Sequence, residues 1–383
     1  MIKAPFRIVF IITDLDTGGA EIMLFRLLSY LDRGKFEPTV ICLRRDGPIG
    51  EKIRSLNIPV RPLGIDPDRP NPLSWFKLLK ILRQIHPGML QTWMYHADLF
   101  GGLAGLFIKV PVIWAIHNST TDPQYTRKRT LFIVRLCVLL SRLVPQKIIS
   151  CSEKARQIHV ELGYASKKFI IIPNGFDLKN FKPDQDDSLR LRLQLKIDPA
   201  ATLIGMVARY DPQKDHANFI HAARIFHQTS PQPNFILCGE GLTWENIPLS
   251  AEIDAAGLHS QFHLLGRRDD MPAVFSMLNL HTLSSAYGEA FPNVLGEAMA
   301  CGVPCVATDV GDSSFLIGDT GMVVPPKDPQ ALADAWERLL SLSVEERLTL
   351  GERARQRIQQ LFSIVQVARR YEDLYEQILE VNA

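Results

Sequence analysis

Short apolar runs alternate with longer amphipathic stretches along most of this chain. The first run covers residues 7–13. The loop Asp14-Leu15-Asp16-Thr17-Gly18-Gly19-Ala20 follows it, and an apolar-periodic helical pattern starts at Glu21. A second run of the same kind covers residues 203–209, with Tyr210-Asp211-Pro212-Gln213-Lys214 and another helical pattern behind it. After the first opening, strand-type runs recur near Met89 and at residues 38–43, 110–116, 147–151 and 169–172. After the second they recur at 235–238, 262–265, 278–282 and 303–307. Strands that alternate with helical patterns build parallel sheets with helices on both faces. The chain is thus expected to be α/β, with two doubly wound Rossmann-like domains. The boundary is expected in the polar, proline-containing segment 181–187, which places the first domain at 1–185 and the second from 186.

Composition agrees with that picture. At 383 residues the chain is too long for one ordinary core. Apolar residues make up 46% and charged residues 22%, the balance of a soluble globular enzyme. The six cysteines (42, 137, 151, 238, 301 and 305) form no CxxC pair, so neither a disulfide framework nor a zinc site is expected, and reduced thiols in the cytoplasm are the simple account. The opening apolar run is short, ends at Asp14 and has no small-residue cleavage site, so it reads as a buried strand and not a signal peptide. No apolar run reaches the roughly 18 residues that a spanning helix needs. The best candidate, 131–144, is broken by Arg135 and Arg142.

Charge changes the picture more than composition does. Residues 1–185 hold 27 Lys/Arg and 15 Asp/Glu, whereas residues 186–383 hold 16 and 26. A basic half joined to an acidic half suggests that one half faces an anionic surface. Within the basic half, residues 125–147 carry Arg127, Lys128, Arg129, Arg135, Arg142 and Lys147 among many apolar side chains. Such a stretch either rests on an anionic membrane or is a packed helix with a solvated basic edge.

Candidate chemistry concentrates around residue 290. Glu289 and Glu297 flank Ala290-Phe291-Pro292-Asn293-Val294-Leu295-Gly296. Pro292 suits a helix start. Gly302 and Pro304 end the helix, and an apolar strand-type run follows. Glu289 is then on the loop and Glu297 in the second helical turn. The backbone N–H groups of Phe291, Asn293 and Val294 would point at a ligand above the helix start, which suits a phosphate. Two glutamates there could instead simply complement the helix dipole. Upstream, Arg209 and Lys214 lie at a strand's carboxyl end, where open α/β sheets bind ligands. His117 follows the 110–116 run at a similar position, and Gly266-Arg267 follows the 262–265 run. Gly18-Gly19 is a lone glycine pair, with no G-x-G-x-x-G behind either first strand; its plain reading is a loop that needs positive φ. Asp14-x-Asp16 has the form of a metal-binding DxD but reads as turn chemistry.

The stretch from Ser284 to Gly311 resembles the two-glutamate signature of the retaining family-4 glycosyltransferases, which have the GT-B fold. Gly18-Gly19-Ala20-Glu21, the Arg209-x₄-Lys214 pair, His117 and Asn174-Gly175-Phe176-Asp177 match further patterns of that family. The resemblance implies two Rossmann-like domains facing a cleft, with the second over 186–365 and a last helix, 366–383, crossing back onto the first. It implies retaining transfer of a hexose or N-acetylhexosamine from a nucleoside diphosphate sugar, UDP first among them, to a polyprenyl-diphosphate-linked glycan in surface polysaccharide biosynthesis. Arg209 and Lys214 would meet the diphosphate, Glu289 the donor sugar, Glu297 the ribose hydroxyls and Gly266-Arg267 the base. His117 would contact the transferred sugar, and Gly18-Gly19 would lie near the donor phosphates. Fixed cations and amide dipoles could meet the leaving charge, so no metal and no cofactor are expected. Nucleic acid is not an expected partner. The expected location is cytoplasmic, peripheral on the cytoplasmic face of an anionic membrane. Two rivals share the architecture: a UDP-sugar epimerase, and a non-catalytic assembly subunit.

Overall fold

The computed structural model describes residues 5–65, 72–119, 124 and 126–381. The chain divides into two compact units, residues 1–175 with 364–383, and residues 176–363.

The first unit runs β1 (Phe6–Ile12), α1 (Gly19–Tyr30), β2 (Phe36–Cys42), α2 (Pro48–Ser55), β3 (Val60–Pro62), α3 (Pro72–Ile85), β4 (Met89–Trp93), α4 (Tyr95–Ile108), β5 (Val112–Ile116), α5 (Lys128–Leu140), β6 (Lys147–Ser150), α6 (Glu153–Glu161) and β7 (Phe169–Ile171). Its seven strands are all parallel, in the order β3-β2-β1-β4-β5-β6-β7. The inner strands are buried on both faces, which is why they read as continuous apolar runs and not as alternations. The short edge strand β3, with two of its three residues exposed, gave no such run.

The second unit runs α7 (Gln185–Gln194), β8 (Leu203–Val207), α8 (His216–Thr229), β9 (Asn234–Cys238), α9 (Ile247–Ala255), β10 (Phe262–Leu264), α10 (Met271–Ser276), β11 (Leu280–Leu283), α11 (Asn293–Ala300), β12 (Cys305–Thr308), α12 (Ser313–Ile317), β13 (Gly321–Val324), α13 (Pro329–Ser341) and α14 (Val344–Leu361). Its six parallel strands take the order β10-β9-β8-β11-β12-β13. In both sheets the order reverses beside the first strand, between β1 and β4 and between β8 and β11. Those reversals are where open α/β sheets bind ligands, beyond the strands' carboxyl ends.

The last helix, α15 (Ile364–Val381), belongs to the first unit. Its apolar face, with Tyr371, Leu374, Tyr375 and Ile378, joins the core formed by β1, α1 and α2. Polar contacts fix its register. Glu372 accepts from the Asp32 N–H at 2.7 Å, Glu376 pairs with Lys35 at 2.8 Å, and the Tyr375 hydroxyl donates to Gln91.

The division between units falls between Gly175 and Phe176, ten residues before the boundary read from polarity. Residues 176–185 belong to the second unit because their backbone is already committed there. The Phe176 N–H donates to the Phe362 carbonyl at 2.9 Å, and Arg355 donates to the carbonyls of Leu178 and Phe181. The Phe176 ring lies against α11 at Gly296, where an added Cβ would come within 2.1 Å of it. No helix among the described residues is long and apolar enough to cross a membrane. All six cysteines are buried and free.

Candidate active site

The second unit gathers its candidate residues on three neighbouring loops. The first leaves β8 and carries Arg209 and Lys214. β8 stops at Val207, two residues earlier than the apolar run suggested, so Arg209 is on the loop and not on the strand. The Asp211 carboxylate caps the short turn Pro212–Lys214 by accepting from the Gln213 N–H at 2.9 Å. That turn aims Lys214 back toward the sheet. Asp215 then takes positive φ and caps α8.

The second loop leaves β11 and carries Glu289. Hydrogen bonds knit the two loops together. The Ser284 hydroxyl donates to the Lys214 carbonyl at 2.9 Å, and the Ala286 N–H donates to the Gln213 carbonyl at 2.8 Å. Lys214 Nζ then lies 2.5 Å from Glu289 Oε1, with side-chain exposures of 15% and 9%. The same carboxylate oxygen accepts from the Ser285 hydroxyl at 2.6 Å. Ser285 is fixed in turn, since Thr308 on β12 donates to its carbonyl at 2.7 Å. Arg209 is placed differently. Its guanidinium is 55% exposed and 3.1 Å from Asp211.

Glu289 also depends on Gly311. At φ +64°, a Cβ there would come within 2.1 Å of the Glu289 carbonyl oxygen, so only glycine allows this approach. Neither Ser285 nor Gly311 was singled out as a site residue from sequence. The signal was their position, because both fall inside the matched stretch and Gly311 closes it.

Helix α11 opens directly after this loop, with Pro292 as its N-cap and Asn293 and Val294 as its first two residues. Its first N–H groups have no carbonyl one turn earlier within the helix, and its dipole favours an anion at that end. Phe291 is 5% exposed and packs beside Phe176 and Phe362, so it anchors the loop as well as supplying an N–H. Glu297 lies in the second turn and is 7% exposed. The helix ends as its residues dictate. Gly302 takes φ +73° and donates to the Met299 carbonyl, while the Val303 N–H reaches the Ala298 carbonyl.

The third loop follows β10. Gly266, at φ +61°, exchanges backbone hydrogen bonds of 2.9 Å with Gly239 and Leu242, and Arg267 is exposed beside it. The Gly239 turn touches the first loop, where the Tyr210 N–H donates to the Glu240 carbonyl at 2.8 Å. Arg209, Lys214, Gly266, Arg267, Glu289 and the start of α11 are thus held on connected backbone.

The first unit places its candidates on separate strands of its own sheet. Gly18 caps α1 after β1. Its φ is −146°, and neither Gly18 nor Gly19 takes positive φ. The pair therefore does not relieve backbone strain, contrary to the plain reading of the sequence. The space a Cβ would take at Gly18 is held by the Glu21 carboxylate. His117 follows β5 and stacks on the buried Trp93 of β4, with centroids 4.5 Å apart and planes at 9°. Among the described residues, neither ring nitrogen of His117 has a hydrogen-bond partner of good geometry. Burial pushes its pKa down to about 3, against a smaller opposing effect of the Asn174 side chain. The ring is neutral at pH 7 and can give one hydrogen bond and take another.

Among the described residues, no group of three or more His, Cys, Asp or Glu side chains is arranged to hold a metal. Thr120, Asp122 and Tyr125, which border the basic segment, lie outside the described residues.

Two parallel sheets of this order, with cations and carboxylates at the switch point of the second, define a two-domain α/β protein with a charged ligand-type site in its second unit. Comparison with known proteins gives the family. Residues 17–180 match the profile of Glycosyltransferase Family 4, and residues 187–357 match Glycosyl transferases group 1. The chain belongs to the family-4 glycosyltransferases. It is 23% identical over 372 residues to an Escherichia coli UDP-Gal:alpha-D-GlcNAc-diphosphoundecaprenol alpha-1,3-galactosyltransferase, covering 94% of this chain and 93% of that one. It is 25% identical to a Campylobacter jejuni N,N'-diacetylbacillosaminyl-diphospho-undecaprenol alpha-1,3-N-acetylgalactosaminyltransferase, covering 96% and 98%. Its fold is that of Anabaena HepE, solved with UDP, at a TM-score of 0.85, 24% identity and coverage of 97% and 100%.

Proposed function

We propose that this glycosyltransferase moves a hexose or N-acetylhexosamine, with retention, from a UDP-sugar to a glycan carried on polyprenyl diphosphate. The observation that carries this reading is the Lys214–Glu289 pair, held at 2.5 Å on two loops at the switch point beside the start of α11. Transfer from a nucleoside diphosphate leaves a diphosphate whose developing charge must be met by fixed positive groups. Lys214 is a nearly buried point charge suited to that task, and Arg209 offers a planar fork from the same loop. The N–H groups of Asn293 and Val294 add the helix dipole.

Glu289, held by Ser285 and Lys214, is assigned to donor-sugar hydroxyls and to positive charge building at the anomeric carbon. Glu297 takes the ribose hydroxyls, and Gly266-Arg267 lies near the base. His117, neutral and with both nitrogens available, takes a sugar hydroxyl. Retention follows if the leaving diphosphate oxygen accepts the acceptor's proton on the face it departs from. With these cations and dipoles in place the reaction runs without a metal, so chelation by EDTA is expected to leave the rate unchanged. The acceptor assignment draws on the names of the E. coli and Campylobacter relatives, and with it we propose that the enzyme works at the cytoplasmic face of the membrane that holds the carrier.

The test is incubation with labelled UDP-, GDP- and ADP-sugars and membranes from the source cell. Label is expected in the organic-extractable fraction from one UDP-sugar. Conversion of the sugar nucleotide alone, with no lipid label, would replace this reading with an epimerase.

A further inference from the structure

The first unit is covered on its two sides by helical layers of opposite character. Helices α3, α4 and α5 all bury side chains in one core, through Leu78 and Leu82, Ala104, and Ile133 and Val134. With α6, whose His159 hydrogen-bonds the Tyr95 hydroxyl of α4 at 2.8 Å, they form the layer on one side of the sheet, with α1, α2 and α15 on the other. Among the described residues, the solvent faces of α3, α4 and α5 themselves carry no carboxylate; the acids that reach solvent on this side, Glu153 and Glu161, are on α6. α3 and α5 contain no Asp or Glu, and the one acid of α4, Asp98, is fully buried. In the opposite layer Glu51, Asp373 and Glu380 all reach solvent.

The acid-free face exposes large apolar side chains between basic ones. On α5 the outer stripe reads Lys128, Phe132, Arg135, Leu139, a 4-3-4 spacing that keeps all four on one side of the helix. Phe132 is 60% exposed and Leu139 69%. On α3, Phe76 at 61% precedes exposed Lys80 and Arg83. Phe107 of α4 joins the two patterns. It is 57% exposed, packs edge-on to Trp75 at 5.5 Å, and carries the Arg83 guanidinium over its ring at 5.6 Å. Of the two readings of residues 125–147, the packed helix holds for one side of α5, while its other side is basic and apolar.

We infer that the outer face of α3, α4 and α5 docks on an anionic lipid bilayer. The same face of a second copy would bring like charges together, and a nucleic acid backbone would leave Phe107, Phe132 and Leu139 without an apolar partner. A bilayer surface satisfies both features, since lysine and arginine heads meet anionic headgroups while the aromatic and leucine side chains enter the interface. This assignment rests on the lipid-linked acceptor proposed above, which requires the enzyme to work at a membrane.

The test is flotation of the full chain with vesicles of phosphatidylcholine alone or with 30% phosphatidylglycerol. Each basic side chain near an anionic leaflet is worth about fivefold in partitioning. The wild type is expected to float with the anionic vesicles and to be released by high salt. Lys80→Glu with Arg135→Glu is expected to lose at least about twenty-five-fold in binding with an unchanged melting temperature. Phe107→Ser with Phe132→Ser is expected to weaken binding at all salt concentrations. A control reversal on the other layer, Lys52→Glu, is expected to bind as the wild type does. The inference fails if the wild type does not float with anionic vesicles. It also fails if Lys80→Glu/Arg135→Glu floats undiminished, or if Lys52→Glu loses as much as one of those reversals. Transfer to a detergent-dispersed acceptor separates the two proposals: a wild type that floats but transfers to no lipid-linked acceptor keeps the docking face and loses the acceptor.

Discussion

The two units share one architecture and use it for different purposes. Each is a parallel sheet whose strand order reverses beside its first strand. The second unit brings charged groups to that reversal and neutralises them against each other, Lys214 with Glu289 and Arg209 with Asp211. The first unit puts an uncharged imidazole, stacked on Trp93, at the end of β5, and carries its charge on its outer layer. By sequence the first unit holds 27 basic and 17 acidic residues and the second 16 and 24. Opposite charges brought to one strand end can be paired within the fold, as Lys214 and Glu289 are. A layer of a single sign, as on α3–α5, has no such partner within itself and suits an external anionic surface.

The sharpest break in this comparison is Glu289→Ala. If the second unit carries the chemistry, transfer is expected to fall about 10²–10³-fold, the scale for losing an electrostatic transition-state contact, with the fold intact by circular dichroism. His117→Ala is expected to cost much less, since a neutral ring supplies one hydrogen bond. Equal losses from the two would erase the contrast.

Next is Lys214→Ala, which leaves a nearly buried carboxylate without its cation. Removing one partner of such a pair costs about 3 kcal/mol. Arg209→Ala, whose pair is half exposed, is expected to cost under about 1 kcal/mol. Chemical denaturation of the two variants measures the difference. Adding Glu289→Gln to Lys214→Ala should restore stability without restoring activity.

Acid tests what the units have in common. His281, fully buried in the second unit, is pushed down to about 3 by burial, as His117 is in the first. A histidine whose folded pKa lies below its unfolded value of about 6.5 binds more protons when unfolded. Stability is therefore lost as pH falls from about 6.5 toward 3. At pH 5 His281 alone is expected to cost about 2 kcal/mol relative to pH 7. Denaturation midpoints of His281→Asn should be flatter across that range by a corresponding amount.

The smallest effect expected on turnover is that of Ser285→Ala, which removes one hydrogen bond to the Glu289 carboxylate. A bond to a charged group is worth about 1.5 kcal/mol at the low end, so kcat should fall roughly tenfold with KM little changed. A wild-type kcat would mean that Lys214 alone positions the carboxylate.

Much of the fold was legible because doubly buried parallel strands must be apolar throughout. The runs at 7–13 and 203–209 therefore announced β1 and β8. Edge strands are less constrained: β7 and β10 were still read from the runs at 169–172 and 262–265, whereas β3 and β13, short and partly exposed, were not. Helix α11 was legible at both ends, from Pro292 and from Gly302, since each meets a local backbone requirement. The boundary at 175/176 was not legible, because it depends on the Phe176 ring meeting α11 at Gly296, 120 positions away in sequence.

What the sequence determined by itself was whatever neighbouring residues enforce: two α/β units, the loop that holds Glu289, the helix start behind it, and the basic character of the first half. Tertiary structure decided which of those groups meet. It set Lys214 against Glu289, placed Ser285 and Gly311 behind that glutamate, stripped His117 of charge by burial, and turned the basic and apolar positions of three separate helices onto one face. Apart from the Ser285 contact, which is four residues from Glu289 on the same loop, each of these depends on contacts between residues distant in the chain, which the packing of parallel strands and their helices creates and which no local pattern encodes.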